Sequence, residues 1–354
     1  MFLELKLKVP LNDPDRLLAS NKKHLDLAKE IYDRIENLPI ISPHGHCNPS
    51  WFSENHRFPD PAQLFVVPDH YVLRMLVSQG STLSELGVNP IDSSNFEKDP
   101  KEIWKKFSEN YYLFRGTPTA MWLDYSFEKV FGITEPLNTA TSDFYYNHIE
   151  EKLSQPEYLP QALFNKFNIE VLSTTDSAIS DLSQHIEIKN SNWDGRVIPT
   201  YRPDSVVDPE SIYFKNNLLK LGELANEDTD SWDGYLKAHR SRRLFFKKMG
   251  ATATDHGHPS ARTENLSYKE AEQLFKRILK EDFNSEDADM FRGQMLTEMA
   301  KMSCEDGLVM QIHPGARRNH SQKIFRQFGL DKGFDIPGRT DYVSSLQPLL
   351  SVVG

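Results

Sequence analysis

What most constrains this chain is a rhythm. Short apolar or β-branched runs, at residues 38–42, 169–173, 196–200, 251–254 and 308–312, alternate with long stretches of helical periodicity. Such runs read as buried strands, and strands separated by helices read as a parallel sheet, because a parallel pair needs a crossover long enough to hold a helix. The helical stretches are explicit. Leu25, Ala28, Ile31, Tyr32 and Ile35 share one face of a helix over about 21–38. Ser267-x-x-Glu270 is a capping box opening a helix whose apolar face holds Leu274, Phe275, Ile278 and Leu279. Met290, Met295, Met299 and Met302 recur helically over 286–305 and read as core. A basic helix from about Trp232 ends in Lys247-Lys248-Met249-Gly250, where cations suit the negative helix end and glycine suits the cap. Its cluster of Arg240, Arg242 and Arg243 reads as a solvated face.

Between the first and second runs lie residues 49–168, rich in Tyr, Phe and Trp and helical in pattern. That is too long for a simple strand-to-helix connection, so it reads as an inserted helical subdomain. The expected division is 1–48 for an N-terminal helix and first strand, 49–168 for the insertion, and 169–354 for strands two to five with their helices.

Polar residues follow each strand. The first ends in Pro43-His44-Gly45-His46, the second in Thr174-Thr175-Asp176, the third in Tyr201-Arg202-Pro203-Asp204, the fourth in Asp255-His256-Gly257-His258, and the fifth in His313 with Gly315-Ala316-Arg317-Arg318-Asn319 beyond. In parallel α/β folds the C-terminal ends of the strands are where ligands bind, so five strands delivering such groups point to an enzyme. Positions i and i+2 of a strand project to one side, so His44 and His46 are placed to share one metal, and Gly45 leaves room between them. A bare His-x-His is weak by itself; its position at the end of the first strand gives it meaning. His313 is a third candidate ligand or a substrate donor. In Asp69-His70-Tyr71 with Arg74, a helix would put His70 and Arg74 on one face, and spacing alone assigns them no chemistry.

Composition narrows the classes. The net charge of −10 disfavours a dedicated nucleic-acid or membrane-surface binder, since neither polyanion attracts a net-negative protein. Two cysteines, Cys47 and Cys304, make no disulfide framework and read as reduced thiols. No apolar run approaches the ~20 residues of a membrane span, and the N-terminal segment has no basic region followed by an apolar stretch. A cytoplasmic location is expected.

The stretches PIISPHGHCNPSWF, VPDHYVLRML, FRGTP, FNIEVLSTTD, VIPTYRPDSVVD, TATDHGHP, QMLTEMAKM and GLVMQIHPGARRNH occur in an order that resembles the uronate (glucuronate) isomerase family, a divergent branch of the amidohydrolase superfamily. The resemblance covers nearly the whole chain. It implies a TIM-type (β/α)8 barrel of the metal-dependent hydrolase kind and the interconversion of D-glucuronate with D-fructuronate and of D-galacturonate with D-tagaturonate. It also implies a small-molecule hexuronate as partner and one divalent metal, commonly zinc. A homo-oligomer is compatible with it. By the resemblance His44 and His46 are metal ligands, with His313 near the metal. His70 and Tyr71 are the catalytic pair, with Tyr71 the candidate base. Arg202 holds the substrate, with Arg318, Asp255 and His256 as further substrate-binding candidates. Only five barrel strands are read here, and strands six to eight, with the family's later aspartate ligand and arginine, have no counterpart. A barrel of this kind is expected to be poorly stable and nearly inactive by itself. Two other readings stand beside the isomerase: a metal-dependent hydrolase of the same superfamily, and an inactive metal-binding fragment.

Overall fold

The computed structural model describes residues 11–354. Five strands, β1 (Ile40–Ser42), β2 (Ile169–Ser177), β3 (Arg196–Arg202), β4 (Ala253–His256) and β5 (Val309–Ile312), form one parallel sheet in chain order. Every strand falls on an apolar run of the sequence. Three of the five reach further than the runs did. β2 carries Asp176, β3 carries Arg202, and β4 carries Asp255 and His256 within the ladder. Polarity marked these residues as the ends of strands, yet backbone pairing continues through them, because side-chain polarity does not stop a ladder whose outer face meets other polar groups.

The sheet is curled. β1 and β5 are its two edges, and in a flat sheet four spacings would set them about 19 Å apart. Instead the Gln311 side-chain amide of β5 donates to the Pro43 carbonyl just past β1 at 3.2 Å, and the His44 and His313 rings lie 5.7 Å apart. The curl gathers the C-terminal ends of all five strands. The outer faces of the edge strands are open, with Ile41 62% and Val309 66% exposed, whereas β4 is buried throughout.

The chain divides into two compact units. One comprises the chain up to Pro39, His56–Asn168 and Arg318–Asp335; the other comprises Ile40–Asn55, Ile169–Arg317 and Ile336–Gly354. The first is helical among its described residues, around a core of Trp104, Phe107, Phe114, Phe127 and Tyr145. Its helix Lys22–Asp33 is shorter than the periodicity implied and buries none of its residues.

The second unit holds the sheet. The helices Trp232–Lys248, Tyr268–Leu279 and Ser285–Asp306 pack Tyr235, Phe275, Phe291 and Met295 into one core, and Tyr235 stacks on Phe275 at 4.8 Å. The capping box at Ser267 forms, and Met295, Met299 and Met302 are buried as expected. The arginine cluster on Trp232–Lys248 is not a solvated face. Arg242 and Arg243 are buried, and only Arg240 stays at the surface, paired with Glu305. Arg242 donates to the carbonyls of Ala178 and Ser180; Arg243 donates to Asp306 at 2.6 and 2.9 Å and to Ser303 Oγ at 3.0 Å. A helix packed on both a sheet and a second helix has too little free face to keep three arginines in water, so two are buried and find partners. A two-stranded antiparallel ribbon of Ala316–Arg317 with Ile336–Pro337, which no apolar run announces, completes this unit. Among the described residues no helix is long and apolar enough to cross a membrane.

Candidate active site

The site is built at the C-terminal ends of the curled sheet. Past β1 the chain turns at Pro43 and delivers His44 and His46. Gly45 between them presses on β2: a Cβ there would lie 2.9 Å from the Ser173 carbonyl oxygen, and the Thr175 hydroxyl donates to the Gly45 carbonyl at 2.8 Å. The glycine therefore provides closeness to the neighbouring strand as well as room between the imidazoles. The two Nε2 atoms stand 3.1 Å apart.

At the middle of this cluster is Asp255, whose side chain is fully buried. His313 Nε2 lies 2.6 Å from one carboxylate oxygen, His44 Nδ1 lies 3.5 Å from the same oxygen, and Arg202 Nη1 lies 3.3 Å from the other. None of these contacts is an aligned hydrogen bond, so both oxygens lack a well-formed partner among the described residues. Burial raises the Asp255 pKa, but the short His313 contact and the charges of His313, Arg202 and His44 outweigh it and hold the carboxyl below its ordinary value. His46 is lowered, by burial first and then by His44 and Arg202, so its imidazole stays neutral and able to ligate.

Arg202 is fixed from two sides. Its Nε donates to Asp204 Oδ2 at 2.7 Å, and the Gly257 N–H donates to both Asp204 oxygens at 3.1 and 3.2 Å. A Cβ on Gly257 would lie 2.3 Å from Arg202 Nη2, 2.9 Å from Asp204 Oδ2 and 3.1 Å from His313 Cε1. Gly257 is thus the space into which the guanidinium fits.

These groups suit a divalent metal. Two ligands on a tetrahedral ion at about 2.1 Å stand about 3.4 Å apart, close to the His44–His46 spacing of 3.1 Å. The buried Asp255 carboxylate, short of aligned partners, is the anionic donor such an ion favours.

Five of the nine site residues read from sequence, namely His44, His46, Arg202, Asp255 and His313, come together here. His256 sits on β4 beside Asp255 but on the other face, fully buried, with its Nε2 3.0 Å from Thr254 Oγ1. The other three belong to the first unit. His70 and Tyr71 open the helix His70–Ser78, capped by Asp69, which accepts from the N–H groups of Tyr71 and Val72 at 2.8 and 3.1 Å. Tyr71 is half exposed, with the Arg74 guanidinium 5.6 Å from its ring centre, and lines a cavity of about 560 Å³ with Arg74, Ser78, Thr117 and Trp122. Arg318 lies 3.8 Å from Asp331 and 3.9 Å from Asp335. Two residues without an assigned role, Asp204 and Gly257, are what hold Arg202. Their signal was present as the Arg202-x-Asp204 spacing and the glycine between two histidines.

The model of the glucuronate isomerase family matches residues 15–354. A uronate isomerase of Rhizobium meliloti is 55% identical over 97% of this chain and 73% of its own length. One from Phenylobacterium zucineum is 51% identical over 96% of this chain and 71% of its own. Among solved structures, glucuronate isomerase from Caulobacter crescentus superposes with a TM-score of 0.94 at 47% identity, covering 98% of this chain and 72% of that one. Uronate isomerase from Thermotoga maritima does so with a TM-score of 0.86 at 26% identity, covering 99% of this chain and 73% of that one.

Proposed function

The chain belongs to the glucuronate isomerase family, and from that membership we propose how its residues interconvert D-glucuronate and D-fructuronate, and D-galacturonate and D-tagaturonate. The strands then form part of a (β/α)8 barrel whose top face carries the chemistry. The observation that carries the proposal is the convergence of His44, His46, His313 and Arg202 on one buried carboxylate at the strand ends.

The reaction moves a proton from C2 of the aldose to C1 and a proton from O2 to O1, through a cis-enediol. The C2–H is a weak acid, so the rate depends on a placed base and on stabilising negative charge at oxygen. Arg202 binds the uronate carboxylate through its planar pair of N–H groups, a geometry lysine lacks. Asp204 and the Gly257 N–H keep that fork aimed. A divalent metal, zinc by its preference for imidazole, held by His44 and His46 beside Asp255 and His313, would polarise the sugar oxygens. Tyr71 is the candidate that carries the proton between C2 and C1, and His70 its catalytic partner. The support for this pair is the family resemblance of Asp69-His70-Tyr71, independent of the second unit's geometry. Arg318 and His256 remain substrate-binding candidates on the same footing.

The test is incubation of the purified protein with D-glucuronate while NMR follows the ketose signals, beside a panel of lactones, esters and amides. Slow ketose formation that falls further with Arg202→Met is expected. Hydrolysis of the panel without ketose formation would overturn the proposal in favour of a superfamily hydrolase.

A further inference from the structure

Asp255 and His256 are consecutive on β4, so their side chains leave opposite faces of the sheet. Asp255 meets the His44–His46 cluster. On the other face His256 shares a fully buried space with Thr254, and His258 follows two residues later, 6% exposed. Asp204, from the single turn after β3, reaches the same space. One ligand atom from each of Asp204, His256 and His258 lies within 4.8 Å of the others, and His258 Nε2 is 3.9 Å from Asp204 Oδ1.

These imidazoles are under-used. His256 Nδ1 and both ring nitrogens of His258 have no hydrogen-bond partner among the described residues. A buried polar atom without a partner costs roughly 1–3 kcal/mol, so three of them in one cluster call for a common partner. His258 stands apart from the other buried histidines of this unit, each of which has one nitrogen settled: His185 on the Thr174 hydroxyl at 2.8 Å, His239 on the Tyr201 hydroxyl at 2.7 Å and His256 on the Thr254 hydroxyl at 3.0 Å. Asp204 is already oriented by the Gly257 N–H and Arg202, as a carboxylate ligand is when its outer shell is built. Arg292, on the same side as His258, is itself paired with Asp208, Glu210 and Asp289, so its charge is offset and does not stand against a bound cation.

We propose that Asp204, His256 and His258 form a second divalent-cation site, structural in role and separate from the His44–His46 cluster. Two imidazoles and one carboxylate suit a borderline ion of the zinc type, with water completing four-coordination. Bound there, the ion ties the segment after β4 to the turn after β3 and so braces Asp204 behind Arg202.

The test uses chelator-stripped whole protein and Co2+ as probe, followed by visible absorption, by bound cobalt after dialysis and by melting temperature. To isolate the second site the titration is run in a His44→Gln/His46→Gln variant. One tightly held Co2+ per chain, a visible ligand-field band and a raised melting temperature are expected there. Adding His258→Gln should remove all three while the far-UV circular dichroism stays native. If that triple variant does not fold, the double variant decides alone: no bound cobalt and no change in melting temperature overturns the proposal. Cobalt retained by the folded triple variant overturns it equally.

Discussion

Gly257→Ala isolates the positioning of Arg202 from its charge. The added methyl would sit 2.3 Å from Arg202 Nη2, against an ordinary contact of about 3.5 Å. The guanidinium must retreat by about 1 Å, and it cannot do so freely: its Nε is bound to Asp204 at 2.7 Å and its Nη1 is 3.3 Å from Asp255. The obstacle is the end of a long side chain, so the fold itself should lose only about 1 kcal/mol. Turnover should lose more, because a misplacement of about 1 Å costs roughly 10²-fold, or about 2.7 kcal/mol in the barrier. With D-glucuronate followed by NMR, kcat/KM is expected to fall 30- to 100-fold, mostly through KM if the arginine grips the carboxylate equally in ground and transition states. The control is a cycle with Arg202→Met. Once the guanidinium is gone the tightest clash goes with it, leaving the milder ones with Asp204 Oδ2 at 2.9 Å and His313 Cε1 at 3.1 Å, and Gly257→Ala should then cost under threefold. A single variant within threefold of the parent, or a full additive loss in the Arg202→Met background, would refute the reasoning.

Tyr71→Phe removes the proposed proton carrier and should lower kcat by about 10²–10⁴ with KM little changed; retention of a third of the parent kcat would move the role elsewhere. Asp306→Asn leaves the buried Arg243 guanidinium without its carboxylate. Breaking a buried pair costs about 3–5 kcal/mol, and because the Asp306 side chain is 22% exposed the loss expected in urea denaturation is nearer to 2–3 kcal/mol; under 1 kcal/mol would show that water replaces the carboxylate. Burial raises the Asp306 pKa, but the Arg243 bond outweighs it and the net shift is downward. Its stabilisation is therefore present above the ordinary carboxylate value, is lost as pH falls below it, and should be missing from the acid limb of the variant. His239 behaves in the same direction for a different reason. Burial, then the charges of Arg243 and Arg240, push it down to about 3 from an ordinary 6.5, so it is neutral when folded and protonates when unfolded. Stability is full above about pH 6.5 and should decline by up to about 1.4 kcal/mol per pH unit as pH falls toward 3. The ring resonances of His239 should stay flat to pH 4, and a midpoint near 6 would contradict its burial.

Local pattern determined a good deal of this protein. Runs of apolar residues marked all five strands of the sheet, Ser267 and Glu270 marked a helix start to the residue, and His44-Gly45-His46 marked one end of the candidate site. These signals are short-range: side-chain period, capping geometry and the spacing of i and i+2 are properties of a few consecutive residues. The burial of Arg242 and Arg243, the space that Gly257 leaves for Arg202, and the meeting of Asp204 with His258 were settled only in three dimensions. So was the approach of β5 to the turn after β1, where Gln311 reaches Pro43 at 3.2 Å. Each depends on how far the sheet twists and curls, a quantity summed over all strands and the helices packed on them, which no single stretch of sequence carries.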